Sequence, residues 1–340
     1  GWLISVGGTP REIMSHSPEL TYRRLLDAAA MARRLGAQIM GLGAFTKVVG
    51  DAGLTVAKRA PLPITTGNSY SASGALWAAH DALLRMRLLP LPKGKERVKF
   101  KAMIVGATGA IGSVCARLMA KAAEEVYLVS PETAKLLALK ESILKESPGA
   151  KLFLSAQADK DIADMDMIVT ATSGAGKKVL DIMKVKPGCV ITDDVLVIES
   201  GEIQLPGEVE MKNIGLPKGV AYACLAETIV LALEGRFENF TVGRSIEWEK
   251  VREIYKLGIR HGMKLAAISG VNGPFTDEDI ERVRELALAA RAQAAAPAKA
   301  PARRATARKA PAKAAKAAKA AAPAKAAPRR TRAKPVAEAA

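Results

Sequence analysis

The chain has 340 residues, with 51 Lys and Arg against 34 Asp and Glu for a net charge of +17, and is long enough for about two domains and a sizeable core. That charge is local, because residues 291–340 hold 14 basic side chains against the single acid Glu338 and are half alanine, whereas the rest is close to balanced. Three distant cysteines and three histidines exclude a disulfide scaffold and disfavour a zinc enzyme, and Asp51, Asp193, Asp194, Glu227 and Glu234 interrupt the apolar runs before the ~18 residues a membrane span needs.

The opening Gly1-Trp2-Leu3-Ile4-Ser5 has neither the basic region nor the cleavage site of a signal peptide, and the expected compartment is a reducing cytoplasm. Residues 19–35 set apolar side chains on one helical face and arginines on the other, with Gly36 as the stop. The stretch to Leu54 mixes short apolar runs with Gly41, Gly43, Gly50 and Gly53, as close backbone packing or a ligand-facing loop would require. Thr65-Thr66-Gly67-Asn68 then leads into a helix predicted over 71–86. It is either a plain capped helix or a helix start able to receive a polar or anionic group, and Thr66, Gly67 and Asn68 are the candidate substrate residues. Residues 88–97 read as a linker punctuated by Pro and Lys.

Beyond the linker, strand and helix alternate. Strands are predicted at 99–105, 126–130, 151–155, 167–172 and 189–192, with a helix to about 123 after the first and one over 132–146 after the second. That order predicts an α/β fold with a Rossmann-like, doubly wound parallel sheet. From Gly219 a strand or loop becomes a strongly apolar helix ending near Gly235, and further helices are predicted at 245–263 and 277–292. The run from 293 to 340 has nothing larger than alanine to bury apart from Val336 and is expected to be a disordered basic tail. The expected organisation is a substrate segment at 1–98, a dinucleotide-binding domain with a nucleophile segment at 99–235, C-terminal helices packing back on the substrate side at 236–292, and the tail.

Gly106-Ala107-Thr108-Gly109-Ala110-Ile111-Gly112 directly follows a predicted strand and opens a helix. There the first glycine permits the tight turn, the second lets the backbone approach a pyrophosphate and the third packs helix on strand, so the segment reads as a dinucleotide loop rather than a ligand-free turn. Ser130-Pro131-Glu132 ends the second strand with no arginine for a 2′-phosphate and an acid two places late for a ribose hydroxyl, which leaves NADPH and NADH both open. Thr170-Ala171-Thr172-Ser173 ends the fourth strand on the sheet's carboxyl edge and joins Ser130 as a cofactor-side candidate. Cys224 stands where the apolar helix begins, and the partial positive charge of a helix start favours a thiolate. It is the best nucleophile candidate; Cys115 and Cys189 read as core. His261 is the best of the histidines for proton transfer, although a lone helical histidine is more often structural.

Together, LGAFTKVV at 42–49, TTGNSYSA at 65–72, GATGAIGS from Gly106, AYACLAETIVLALEG at 221–235, NFTVGR at 239–244 and the pair His261-Gly262 resemble, in the same order, the cyanobacterial-type long-chain acyl-(acyl-carrier-protein) reductase family. The resemblance implies reduction of a fatty acyl thioester, carried by acyl-carrier protein or coenzyme A, to the fatty aldehyde. It also implies Cys224 as the nucleophile of an acyl-enzyme and NADPH as the hydride source, with NADH as the alternative. Members of the family are longer at the N-terminus, so the substrate segment reads as truncated. Tyr70 stands where a histidine is common, and Asp193-Asp194-Val195-Leu196 replaces a Gly-Tyr-Pro segment.

Two other readings compete. The Ala171-Thr172-Ser173-Gly174 segment, in a Rossmann domain that follows a substrate segment, also resembles shikimate dehydrogenase-like proteins, which transfer hydride without a covalent intermediate; Cys224 is the feature that separates the two. Alternatively, the tail resembles the basic arms of histone-like proteins and would tether a non-catalytic Rossmann protein to nucleic acid. Such an arm is expected to contact DNA or an anionic surface weakly and without sequence preference.

Overall fold

A hydrophobic helix face opens the fold. In the computed structural model, which describes residues 1–9, 12–13, 17–47, 49–89, 96–172, 179–192, 201–270 and 273–295, α1 (Pro18–Arg34) buries Tyr22, Leu25, Ala28, Ala29 and Ala32. Two-residue strands β1 (Met40–Gly41) and β2 (Ile64–Thr65) pair in parallel, with α2 (Leu54–Arg59) between them. Helix α3 (Asn68–Met86) starts three residues before the predicted Ser71, because Gly67 adopts φ +71° and turns the chain directly into it.

The alternating segment forms the sheet expected of it: β3 (Val98–Val105), α4 (Ala110–Ala122), β4 (Ala123–Val129), α5 (Thr133–Glu146), β5 (Lys151–Ser155), β6 (Met167–Thr170) and β7 (Val190–Thr192). The strands run in the order β5-β4-β3-β6-β7 and every pairing is parallel. This is a Rossmann-like sheet whose strand order reverses between β3 and β6. Strand β4 begins three residues earlier than predicted because Ala123 is already extended at the end of α4. Strand β3 shows why both sheet faces are covered: Ala102 and Ile104 enter one apolar cluster with Val114 and Leu136, while Met103 and Val105 enter another with Ile168 and Ile191. Ala78, Ala79, Ala82 and Met86 of α3 belong to the first cluster, so this helix shares the core of the sheet.

A second, antiparallel sheet was not legible in the sequence. It joins β8 (Glu202–Gln204), β9 (Val220–Tyr222) and β10 (Lys264–Leu265) in the order β10-β8-β9. Strand β9 feeds α6 (Ala223–Leu233), the apolar helix expected to carry Cys224. Helix α7 (Trp248–Arg260) packs on α3 and α6, and α8 (Asp277–Ala295) runs three residues past the boundary expected at 292. The basic run from 296 onward and the segment 193–196 lie outside the described residues.

Candidate functional site

At the switch point the chain leaves β3 through Gly106, whose φ of +80° makes the turn possible. The loop is closed tightly on all sides. A Cβ on Gly106 would lie 2.7 Å from the Ala171 carbonyl oxygen, one on Gly109 3.2 Å from the Gly106 carbonyl oxygen, and one on Gly112 would overlap that same oxygen. Helix α4 therefore starts against bare backbone, the cradle a pyrophosphate requires. A groove of about 620 Å³ opens beside it at the carboxyl edge of the sheet. Of the candidate cofactor residues, Gly106, Thr108, Gly109, Ser130, Ala171 and Thr172 line this groove. Ala107 is buried beneath the loop, Ala110 and Ile111 begin α4, and Thr170 completes β6 opposite Val105. Ser173 lies outside the described residues. These residues fit a dinucleotide.

The second site is assembled from segments far apart in sequence. Cys224 is the second residue of α6, half-buried, and the turn before that helix is pinned by the Ala223 N–H donating to the Gly201 carbonyl at 2.6 Å. Gly67 packs directly on it: a Cβ there would overlap the Cα of Cys224 and lie 2.5 Å from its Cβ. The Thr66-Gly67-Asn68 turn and Cys224, 157 residues apart from Gly67, thus meet.

Glu227, one helical turn beyond Cys224, holds them together. Its carboxylate is fully buried; the Thr65 hydroxyl donates to Oε1 and the Tyr70 N–H donates to Oε2 at 2.9 Å. Thr65 Oγ1 accepts in turn from the Thr241 N–H at 3.1 Å, and the Thr241 hydroxyl bonds Ser69 at 2.8 Å. The NFTVGR segment is stitched to the same turn, with the Ile64 N–H donating to Asn239 Oδ1 and the Thr66 N–H to the Thr241 carbonyl, both at 2.8 Å. Burial pushes the Glu227 carboxyl above its usual range, and the bonds from Thr65 and Tyr70 only partly offset this. Sequence reasoning passed over Glu227 as a site residue; the available signal was a lone acid inside an otherwise apolar helix, three residues after the cysteine.

Cys224 faces a pocket of about 910 Å³ walled by Leu25, Ala28, Leu42, Ile229 and Phe237. Volume and apolar lining match a site for a small, largely hydrophobic ligand. Gly41, Gly43, Ala44 and Thr46 also line this pocket, while close packing accounts for other glycines of the stretch: a Cβ on Gly41 would overlap the Thr228 hydroxyl and one on Gly50 the Tyr22 hydroxyl. The Thr66 hydroxyl is buried beside this site and has no hydrogen-bond partner.

His261 is placed elsewhere. It caps α7, and its Nε2 lies 2.7 Å from Oε1 of Glu234, the residue that caps the far end of α6. Ten residues of helix separate Glu234 from Cys224, on the order of 15 Å, so the structure does not bring His261 to the candidate nucleophile. Cys115 lies in the core, as expected, whereas Cys189 is only partly buried against the sheet; burial pushes both thiols up to about 12. Tyr70 is fully buried against Gly258 with its hydroxyl unpartnered, and burial raises its pKa. Among the described residues no cluster of His, Cys, Asp and Glu could hold a metal ion, and no helix is long and apolar enough to cross a membrane.

Fold and cradle define a Rossmann-like α/β protein with a dinucleotide-type loop at the switch point and, lined by other residues, a cysteine-bearing apolar pocket. No protein-family model matches the chain. It is similar to the aminotransferase PigE of a Serratia species, at 29% identity over 314 residues that cover 84% of this chain and 35% of that protein. It is also similar to the long-chain acyl-[acyl-carrier-protein] reductase of Synechococcus elongatus, at 25% identity over 275 residues, 73% of this chain and 77% of that one. The chain thus spans about a third of the length of the first relative and about three quarters of the second. Among solved structures, quinate dehydrogenase from Corynebacterium glutamicum in complex with NAD aligns over 64% of this chain and 61% of its own, at 15% identity and a TM-score of 0.31.

Proposed function

We propose that the chain is a nicotinamide-dependent oxidoreductase that reduces a fatty acyl thioester to the aldehyde through an acyl-enzyme on Cys224. The seating of Cys224 in the wall of an apolar pocket, with the Thr66-Gly67-Asn68 turn packed on its backbone, carries the reading. Similarity to the Synechococcus reductase supports it. The acyl chain lies against Leu25, Ala28, Ile229 and Phe237, which places its carbonyl at the start of α6. The Cys224 thiolate attacks the carbonyl carbon, the bond to the carrier sulfur breaks, and the carrier leaves as a thiol after taking up a proton. Amides of the first turn of α6 beyond Ala223, whose own N–H is occupied, are the donors for the developing oxyanion. The 106–112 cradle would hold a reduced nicotinamide dinucleotide, which would supply a hydride to the acyl carbon; the bond from that carbon to Cys224 Sγ then breaks, releasing the aldehyde and returning the cysteine as thiolate. Acyl-carrier protein or coenzyme A is the carrier.

The test is to supply an acyl thioester with NADPH or NADH, follow cofactor consumption and aldehyde, and search for acylated Cys224 by peptide mass spectrometry. Cofactor binding with neither adduct nor aldehyde overturns the covalent reading in favour of direct carbonyl reduction. Two further results are expected. Each methylene removed from the acyl chain withdraws about 0.8 kcal/mol of apolar burial, so kcat/KM across a thioester series is expected to fall by up to roughly fourfold per carbon. Gly112→Ala drives its new methyl into the Gly106 carbonyl oxygen, and a fluorescence titration is expected to show at least a roughly tenfold loss of dinucleotide affinity.

A further inference from the structure

The groove at the switch point carries a charge pattern that the proposed reaction does not use. Glu132 lines it directly after β4, twenty residues beyond Gly112. Its carboxylate is held in place from both sides: Oε2 accepts from the Thr108 hydroxyl at 2.7 Å, and Oε1 pairs with Lys135. Thr108 in turn bonds Ser130 at 2.8 Å, and Ser130 Oγ accepts from the Glu132 N–H at 3.2 Å. The acid that the sequence places two residues late is therefore folded back onto the glycine loop by a closed ring of bonds.

A second carboxylate, Asp159, lines the same groove from the turn after β5. No Lys or Arg is among the described residues that line it. Lys135 pairs with Oε1 of Glu132 but does not line the groove, and Asp159 is tied to Lys184. The charge of Arg244 also acts on Glu132, but its guanidinium donates to the Gly50 carbonyl at 2.8 Å. Bonds from Lys135 and Thr108 hold the Glu132 carboxyl below its usual range, so it is ionised at neutral pH.

We infer that Glu132 makes this groove select NADH over NADPH, accepting a hydrogen bond from the free 2′-hydroxyl of the adenosine ribose and repelling a 2′-phosphate. An acid at the end of the second strand bonds the ribose hydroxyl, whereas a 2′-phosphate brings nearly two negative charges against Glu132 and Asp159. The resemblance stated above implies NADPH; the groove points the other way. The inference rests on the 106–112 loop as a dinucleotide cradle and not on thioester reduction, so binding alone tests it.

Dissociation constants for NADH and NADPH are measured on the full chain by calorimetry at one fixed ionic strength, for wild type, Glu132→Gln and Glu132→Ala. Wild type is expected to bind NADH at least tenfold more tightly. Glu132→Gln is expected to bring the two constants within about threefold. Glu132→Ala, which frees Lys135, is expected to favour NADPH, and adding Lys135→Ala is expected to remove that gain. Equal affinities or tighter NADPH binding in wild type overturn the assignment, as does an unchanged ratio in Glu132→Gln. Binding of neither nucleotide overturns the cradle reading and the assignment with it. Thioester reduction without acylated Cys224 would count against the mechanism above and leave this assignment standing.

Discussion

Cys224→Ser is expected to abolish acyl-adduct formation and to lower aldehyde production by roughly 10⁴-fold or more, the scale of loss seen when a covalent nucleophile is removed. A serine hydroxyl is a weak nucleophile unless a base lies beside it. The histidine best suited to that task, His261, is instead paired with Glu234 at the other end of α6. Dinucleotide affinity is expected to stay unchanged, because Cys224 lines the apolar pocket and not the groove beside Gly106. The two readouts separate chemistry from folding: a titration with cofactor reports an intact Rossmann sheet, and a thioester assay on the same sample reports the nucleophile. Thioester reduction at the wild-type rate in Cys224→Ser would sink the covalent mechanism.

The second large effect is expected at Glu227. Glu227→Ala strips the Tyr70 N–H and the Thr65 hydroxyl of their acceptor in a site closed to water. Leaving buried donors unpaired costs about 1–3 kcal/mol each, so a loss of about 3 kcal/mol in a urea melt is expected, together with a misplaced Gly67 turn and impaired acylation of Cys224. Glu227→Gln keeps an acceptor for Tyr70 without the charge and isolates the role of ionisation. Burial raises this carboxyl above its ordinary 4.5. Its contribution is therefore fully present at low pH, where it is protonated folded and unfolded, and is lost as pH rises through the raised folded value. Melts of both proteins from about pH 4.5 to 8 are expected to show Glu227→Gln gaining stability relative to wild type as pH increases. A difference that is flat with pH would mean that the ionisation of Glu227 in the folded protein is not perturbed.

Much of the fold was legible because the sheet is built from local signals. Short apolar runs such as Ala102-Met103-Ile104-Val105 are buried on both faces, and amphipathic helices separate them. The glycine loop announced itself by standing between a strand and a helix. The sequence alone also singled out Cys224, from its position at the start of an apolar helix and from the resemblance. Strand β8 and the two-residue strands β1, β2 and β10 were not legible. At two or three residues they have no periodicity of their own and exist only where a neighbour supplies hydrogen bonds.

What the sequence by itself determined is the parallel sheet, the cradle at its switch point, and a cysteine placed at a helix start. Tertiary structure alone decided what surrounds that cysteine. It set Gly67 against the Cys224 backbone, made Glu227 the buried anchor of the turn, and gathered α1, β1 and α6 around one apolar pocket. It also sent His261 to the wrong end of α6 for proton transfer and folded Glu132 back onto Thr108. These are contacts between residues tens to hundreds of positions apart, and no local pattern encodes them. They form because a buried carboxylate must find donors and an apolar wall must find a partner, wherever in the chain those happen to lie.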